Sequence, residues 1–377
     1  MIRSRALPVI AAAVAVCLIA GCGGSARAAR APKPGTVRWR WRPPRPASVG
    51  MPAADGDGVV VTFGHTFVVA LEPGGAERWR TRRLGVREET PLLTPELVVV
   101  PADDGLVALD RRTGQVRWDV RLGRSVAEMP DPDDAASTPV LAGRTVVTCL
   151  SGGVLVAVDA STGALRWRAP LAGRSDGAPA TDGDAVVATW DPERGDDAGI
   201  AAFDIATGRR RWSAPLQAGA VSGAAISGRS GHGAVAVVVD HDVAAKAFDV
   251  ATGRRVWAAR LGGAGSPEVP PLPVGADRVL VADRLAGLTL FDVQGHRLWS
   301  ARTDAAAVRG GPAGPTPDGE FVMPLYDGKV LVAGPGRGRE SLEAPGGLAN
   351  GVAVAADGAV LVSTAQGDDN QLAAYDP

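Results

Sequence analysis

From about residue 36 onward the chain is a succession of short alternating runs of apolar and polar residues, separated by Gly, Pro, Asp and Ser. Period-two alternation over so few positions predicts short strands, and the turn residues between them predict antiparallel hairpins. The stretch Ala108-Leu-Asp-Arg-Arg-Thr-Gly-Gln-Val-Arg-Trp118 is the clearest unit. It alternates into Asp110, turns through Thr113 and Gly114, and alternates again into Trp118. Gly114 falls where the turn needs a positive φ, and Asp110 and Thr113 carry short oxygens able to bond back to turn amides.

The unit recurs. Ala157–Trp167 is a second copy, with Asp159 and Gly163, and Phe203–Trp212 and Phe248–Trp257 follow, with Asp204, Gly208, Asp249 and Gly253 in the same places. Weaker copies are Leu71–Trp79 and Phe291–Trp299, the latter with Asp292. Successive Trp residues at 79, 118, 167, 212, 257 and 299 are 39, 49, 45, 45 and 42 positions apart. Such a period, with several short strands in each unit, predicts the blades of a β-propeller. In the third unit the four strands are read as Ser137–Leu141, Thr145–Cys149, Val154–Asp159 and Leu165–Arg168.

After Trp299 the signature fades but the spacing persists. Gly311–Gly314, Glu320–Pro324, Val330–Ala333 and Gly338–Leu342 predict a blade without its Trp, and Val352–Ala355, Ala359–Ser363 and Leu372–Asp376 predict three strands of a last one. Its missing fourth strand is Thr36-Val-Arg-Trp-Arg-Trp41 at the other end of the chain, so Trp39 and Trp41 are expected to close the ring. The fold predicted is all-β, an eight-bladed propeller of four-stranded antiparallel blades in which the first and last strands pair and remove two open edges.

The Ala-x-Asp-x-x-Thr-Gly-x-x-x-Trp hairpin resembles the repeat of the PQQ-like (pyrroloquinoline quinone) propeller family, over roughly residues 36–377. The resemblance implies eight blades, in agreement with the count above. Its motif specifies the fold and leaves the function open.

Residues 1–21 read as a targeting segment, with Arg3 and Arg5 ahead of an apolar run from Ala6 to Ala20. The junction Leu18-Ile-Ala-Gly-Cys22 resembles a bacterial lipoprotein box. That resemblance implies acylation of Cys22, with palmitate among the lipids, and a mature chain that starts there. Residues 22–35 then form a lipidated Cys and a flexible tether rich in Gly, Ala, Arg and Pro, and 36–377 the propeller. Of the three cysteines only Cys149 lies in the propeller, on a second strand, and is expected to be a buried small hydrophobe. A formal net charge of −1 implies no nucleic-acid partner.

Candidate chemistry is sparse. Family resemblance would require of a quinone enzyme a vicinal Cys pair, acidic and Asn calcium ligands and a stacking Trp. The chain has no Cys-Cys pair, and Trp190 alone stands outside the repeat positions. Asp191, Glu193, Asp196 and Asp197 are oxygen ligands without the spacing of a calcium loop, and Asp131–Asp134 reads the same way, as solvated acidic loops. Of His65, His232, His241 and His296, only His241, between Asp240 and Asp242, has flanking carboxylates, and neighbours at a turn point apart. No catalytic, cofactor-binding or metal-ligating residue is therefore assigned, and no cofactor is expected. The axial strands (around Gly50–Ala53, Ala178–Ala180, Ala224–Ile226 and Gly311–Ala313) offer small side chains that suit close convergence.

Surface loops remain, the longest being Arg121–Ala136, with Met129 and Pro130 at its acidic centre, then Asp191–Gly199, Ser227–Gly233 and Arg302–Gly310. The reading reached is a monomeric, exported, non-catalytic scaffold that docks protein partners of the cell envelope. It is anchored to the outer face of the cell membrane or, in a host with two membranes, to the outer membrane. In layout it resembles the BamB-type lipoproteins of outer-membrane assembly. A PQQ- or metal-dependent oxidoreductase, and a propeller sensing a small ligand or glycan, are the alternatives.

Overall fold

In the computed structural model the alternating runs become antiparallel strands and, among the described residues, no helix forms. The structure describes residues 35–376 apart from 124–134, 176, 192–197, 218–221, 229–232, 241–243, 262–268, 284–286, 303–304, 309, 345–347 and 366–368. The strands form eight sheets, seven of them from consecutive blocks of sequence and the eighth from the last three strands and the first. Blade 3 is representative, with strands Val140–Ala142, Thr145–Leu150, Val154–Asp159 and Leu165–Pro170 in that order from axis to rim. The other outermost strands are Glu77–Arg82 (blade 1), Val116–Arg121 (blade 2), Arg210–Pro215 (blade 4), Arg255–Arg260 (blade 5), Arg297–Ala301 (blade 6) and Arg337–Glu343 (blade 7). Blade 8 takes Val37–Trp41 as its outermost strand.

Second strands such as Thr145–Leu150, Ala185–Trp190 and Val235–Asp240 are buried at every position. They are sandwiched between neighbouring sheets, which is why they read as near-continuous apolar runs rather than alternating ones. The core is divided accordingly. Eight buried clusters each draw on two adjacent blades, as where Val147, Cys149 and Trp167 of blade 3 meet Val186, Ala188 and Phe203 of blade 4. The cluster closing the circle joins Trp41, Leu361 and Leu372 of blade 8 to Val59, Val61 and Val69 of blade 1.

The repeated Trp makes the same contact from blade to blade. Its ring lies on the turn glycine of the next blade, and its indole N–H donates to a carbonyl of that turn. Trp118 illustrates this, with Nε1 2.9 Å from the Ala160 oxygen and the ring so close that a Cβ on Gly163 would lie 2.9 Å away. Trp79 bonds Arg111 over Gly114, Trp167 bonds Ile205 over Gly208, Trp212 bonds Val250 over Gly253, and Trp257 bonds Val293 over Gly295. Those glycines have positive φ (71° at Gly114, 70° at Gly163), so both the conformation and the contact require the missing side chain.

A β-bulge sets the direction of each Trp. Ala108 pairs with Trp118 and Leu109 with Val116, leaving Arg117 unopposed. The extra residue lets Val116 and Arg117 both face solvent before Trp118 turns inward. Equivalent shifts leave Arg78, Arg166, Arg211, Val256 and Leu298 unopposed.

Closure rebuilds this hairpin from the two ends of the chain. Val37 pairs with Tyr375, and Trp39, Arg40 and Trp41 pair with Ala374, Ala373 and Leu372, with the bulge at Arg38. Asp376 stands where Asp110 stands in blade 2: its amide donates to the Thr36 oxygen at 2.9 Å and its oxygen accepts from the Gly35 amide at 2.8 Å. Gly35 has φ 77°, and Trp39, four residues on, lies against Gly75 and donates to the Pro73 oxygen at 2.8 Å. Trp39 thus fills the repeat's Trp position, while Trp41 packs edge-on against Phe63 at 5.5 Å.

Blade 7 departs from expectation. Gly311–Gly314 does not form its innermost strand; a single bridge, Ala313 to Val322, stands there. Pro312 and Pro315 remove the amides that would extend the ladder.

We expect Trp118→Ala to destabilise the fold by about 3–5 kcal/mol and the half-buried Trp212→Ala to fall nearer the lower figure. Trp39→Ala should lower the melting temperature as much as Trp118→Ala, because the ring is closed. Calorimetric or denaturant melts check this; a Trp39 variant that melts like the parent would show the ends unpaired.

Candidate functional site

A polar network recurs in the turns of the repeat. In blade 2 the Thr113 amide and hydroxyl both donate to Asp110 Oδ1 at 2.8 Å, and the bulged Arg117 reaches back to Oδ2 at 2.6 Å. Blades 3 and 4 repeat it, Arg166 bonding Asp159 at 2.5 Å and Arg211 bonding Asp204 at 2.8 Å. These partners depress the carboxyls. Arg117 and then Thr113 hold Asp110 well below the usual range, Ser161 and then Arg166 do so for Asp159, and Arg211 and then Thr207 bring Asp204 down to about 2. Where Val256 and Leu298 replace the Arg, Asp249 keeps only Thr252, and Asp292 takes His296 Nδ1 at 2.8 Å. The network fastens turns and is not arranged around a substrate.

A second cluster sits at the closure seam. Glu88, on the connection from blade 1 to blade 2, accepts the Ser48 hydroxyl on Oε1 and Asn350 Nδ2 on Oε2 at 3.3 Å. His65 Nε2 is 3.7 Å from Oε1, on a residue held at φ 50°. Asn350 also donates to the Val49 oxygen at 2.8 Å, and the Glu88 carbonyl accepts the Met51 amide at 2.7 Å. Ser, His and Glu are together, but the carboxylate lies between hydroxyl and imidazole, not behind the imidazole. No imidazole contacts the serine hydroxyl, so the three do not form a Ser-His-acid relay. The group clamps blade 8 to blade 1. Ser48 and Glu88 are 40 residues apart and Asn350 is 262 from Glu88, so local pattern gave no sign of it.

Buried polar groups elsewhere are structural. Asp240 is fully buried; its Oδ2 accepts from Lys246 Nζ and from the Gln217 amide at 3.3 Å, while its Oδ1 has no hydrogen-bond partner among the described residues. His232, His241 and Asp242 lie outside the described residues, as do 192–197, which hold most of the acidic loop read as a possible calcium site, and 124–134, which hold Met129, Pro130 and Asp131–Asp134. Among the described residues no group of three His, Cys, Asp or Glu side chains is placed to hold a metal. Cys149 is fully buried and its thiol is pushed up to about 12 by that burial. Such a thiol is inert as a nucleophile.

The residues present do not fit a quinone. Trp190, the one Trp outside the repeat, is packed in the interface between blades 3 and 4 with its ring against Gly199, where a Cβ would be 2.0 Å away. Neither face of that ring is open for stacking. The sequence also lacks the vicinal Cys pair.

Exposed apolar side chains are few. Leu84 (62 % exposed) and Tyr326 (43 %) stand on one face of the wheel, which carries the connections between blades and the turns between second and third strands. The described ends of the loops Arg121–Ala136, Asp191–Gly199 and Arg302–Gly310 lie on that same face, whereas Ser227–Gly233 joins a first strand to a second and its described ends lie on the other.

With this geometry in place, comparison with known proteins is informative. The family model described as outer membrane protein assembly factor BamB matches residues 24–130, 104–264 and 239–377. BamB from Moraxella catarrhalis is similar in structure, at 19% identity over 91% of this chain and 97% of that one, with a TM-score of 0.64. The computationally designed Ika8 protein is similar at 17% identity over 88% and 97%, with a TM-score of 0.67. At these identities the two structures show the fold alone. No curated protein sequence matches the chain.

Because the turn carboxyls titrate lower when folded than unfolded, their stabilisation is complete above about pH 4 and is lost as pH falls toward 2. Melting temperature should therefore drop through that window. The triple variant Asp110→Asn, Asp159→Asn, Asp204→Asn should melt lower at neutral pH and show a shallower acid dependence. Native Cys149 should resist an aromatic disulfide reagent and react on unfolding.

Proposed function

The chain belongs to the family of the outer membrane protein assembly factor BamB, and from that membership we propose an exported, lipid-anchored propeller that docks envelope proteins and catalyses no reaction. The observation that carries this reading is the family match, which spans residues 24–377 in three overlapping segments. It begins two residues after Cys22, so the matched body follows the lipoprotein box directly. In this reading residues 1–21 are removed as a signal peptide, Cys22 receives the lipid, residues 22–35 form the tether and 36–377 the docking body. The anchoring membrane is the cell membrane, or the outer membrane where the host has one. In the latter case the partner belongs to outer-membrane protein assembly, the task in the family's description.

Propellers use face loops for recognition because the blades hold them rigid while leaving their sequence free. The face that carries Leu84 and Tyr326 is the docking face under this proposal. Its connections vary in length while the opposite face repeats the Asp-Thr-Gly turn, already occupied by the Trp of the preceding blade.

Cells fed an alkyne palmitate analogue should label the native chain and not Cys22→Ala, which should move from the membrane to the soluble fraction. Crosslinking on membranes should retain a defined envelope protein that Leu84→Asp with Tyr326→Asp releases. Recovery of uncrosslinked monomer alone from intact membranes would count against the docking role.

A further inference from the structure

The outermost strand of a blade leaves one side of its backbone unpaired, and such an edge invites a further strand unless side chains guard it. In this wheel the guards are charges. The residues just before and just after the repeat Trp face solvent, wholly or in part. In blades 8, 1, 2 and 3 both are charged: Arg38 and Arg40, Arg78 and Arg80, Arg117 and Asp119, Arg166 and Arg168. Blade 4 keeps one, Arg211, and adds Pro215. Blade 5 keeps neither. Its strand Arg255–Arg260 places Val256 and Ala258 there, and Val256 is 44 % exposed. Blade 6 has Leu298 and Ser300.

Blade 5 differs from blade 6 in what flanks the gap. Arg254 and Arg255 stand at one end of the strand and Arg260 at the other, all exposed and none with a carboxylate partner among the described residues. In blade 6 the leading position is His296, already bonded to Asp292, and the centre carries a serine hydroxyl. Arg255–Arg260 ends the order of its sheet, so its outer side pairs with no strand among the described residues. The edge therefore offers free amides and carbonyls, an uncharged centre and guanidinium at both ends. Guanidinium is the cation best shaped for a carboxylate.

Charge chooses the occupant. Two copies of this strand pairing antiparallel would set Arg255 and Arg260 opposite one another at both ends of the ladder, and like charges on facing positions destabilise it. A segment with Asp or Glu at its ends meets the opposite condition. We infer that the outermost strand of blade 5 is a docking edge for an extended protein segment with an apolar centre and carboxylates at both ends, taken up by strand addition. Main-chain hydrogen bonds supply the affinity, and the flanking arginines select the ends. This surface lies on the rim, apart from the loop-bearing face proposed above for envelope partners, and it needs no lipid anchor.

The test uses residues 34–377, a unit whose ring closes within itself. The probe is a short fluorescein-labelled peptide of alternating Val and Thr with Asp-Glu at each end, and its control is the same peptide ended by Lys-Lys. Fluorescence anisotropy at low salt should show the parent binding the first and not the second. Arg254→Gln, Arg255→Gln, Arg260→Gln together should weaken binding about ten-fold, as three exposed ion pairs predict. Ala258→Pro should weaken it about five-fold by removing one outward amide. Pro170 and Pro215, two positions further along the strands of blades 3 and 4, show that proline in this register leaves the sheet intact. Ser300→Pro, at the same position in blade 6, should leave binding unchanged. Bound peptide should also slow amide exchange at residues 256–260, which a peptide held by charge alone would not do. Equal binding of the two peptides, equal losses in the two proline variants, unaltered exchange, or a parent dimer that Ala258→Pro dissolves would each overturn the inference. If Ala258→Pro melts below the parent, the arginine variant and the exchange measurement still decide. Leu84→Asp with Tyr326→Asp should not alter peptide binding, so a failed docking face and a failed edge are read apart.

Discussion

The contact on which this structure depends is an indole ring lying on a glycine that no other residue can replace. Outside blade 8, hydrogen bonding within a blade is local; each of those sheets is a meander and gains little from knowing where its neighbours are. What turns eight meanders into a wheel is the apolar layer between sheets, and at six of the eight interfaces the rim of that layer is sealed by Trp over Gly with an indole bond to the turn. The two exceptions flank blade 7. Trp299 meets Phe321 at a tilt, and Leu342 takes the Trp position against Gly35. The fold tolerates both because a closed ring holds each blade from two sides, so loss of one seal does not free an edge.

Closure has a consequence for where the chain can be cut. The ends lie inside one copy of the repeated turn, with Asp376 and Gly35 bonded as Asp110 and Gly114 are in an uncut copy. The cut removes only the residues between Asp and Gly, which contribute side-chain oxygens and little burial. An opening placed in a second strand would instead breach a layer buried at every position.

Much of this was legible because the repeat is written in residue types with one structural use each. The strand expected at Val154–Asp159 has those bounds, and the turn at Asp110–Gly114 has the expected φ and back-bonding. The sequence misled where two rules compete. Gly311–Gly314 keeps the spacing of an axial strand, but its prolines leave one bridge. Asp240 reads as a turn residue, yet it is fully buried and accepts from Lys246, six residues on and one strand over. The bulge at Arg117 was not readable from alternation, because Val116 beside it is apolar yet exposed. The Glu88 clamp draws on Ser48 and Asn350 and had no local trace at all.

Function is harder to read for the same reason that the fold is easy. A natural assembly factor and a designed protein share this architecture with the chain at nearly equal identity, so the repeat carries no preference between them. Discriminating information must lie where the blades differ. One difference has a direction. The face that carries the connections between blades exposes Leu84 and Tyr326, while the opposite face repeats the Asp-Thr-Gly turn, already covered by the Trp of the preceding blade. What sets this chain apart from other propellers must therefore be sought first on the face that the repeat leaves free.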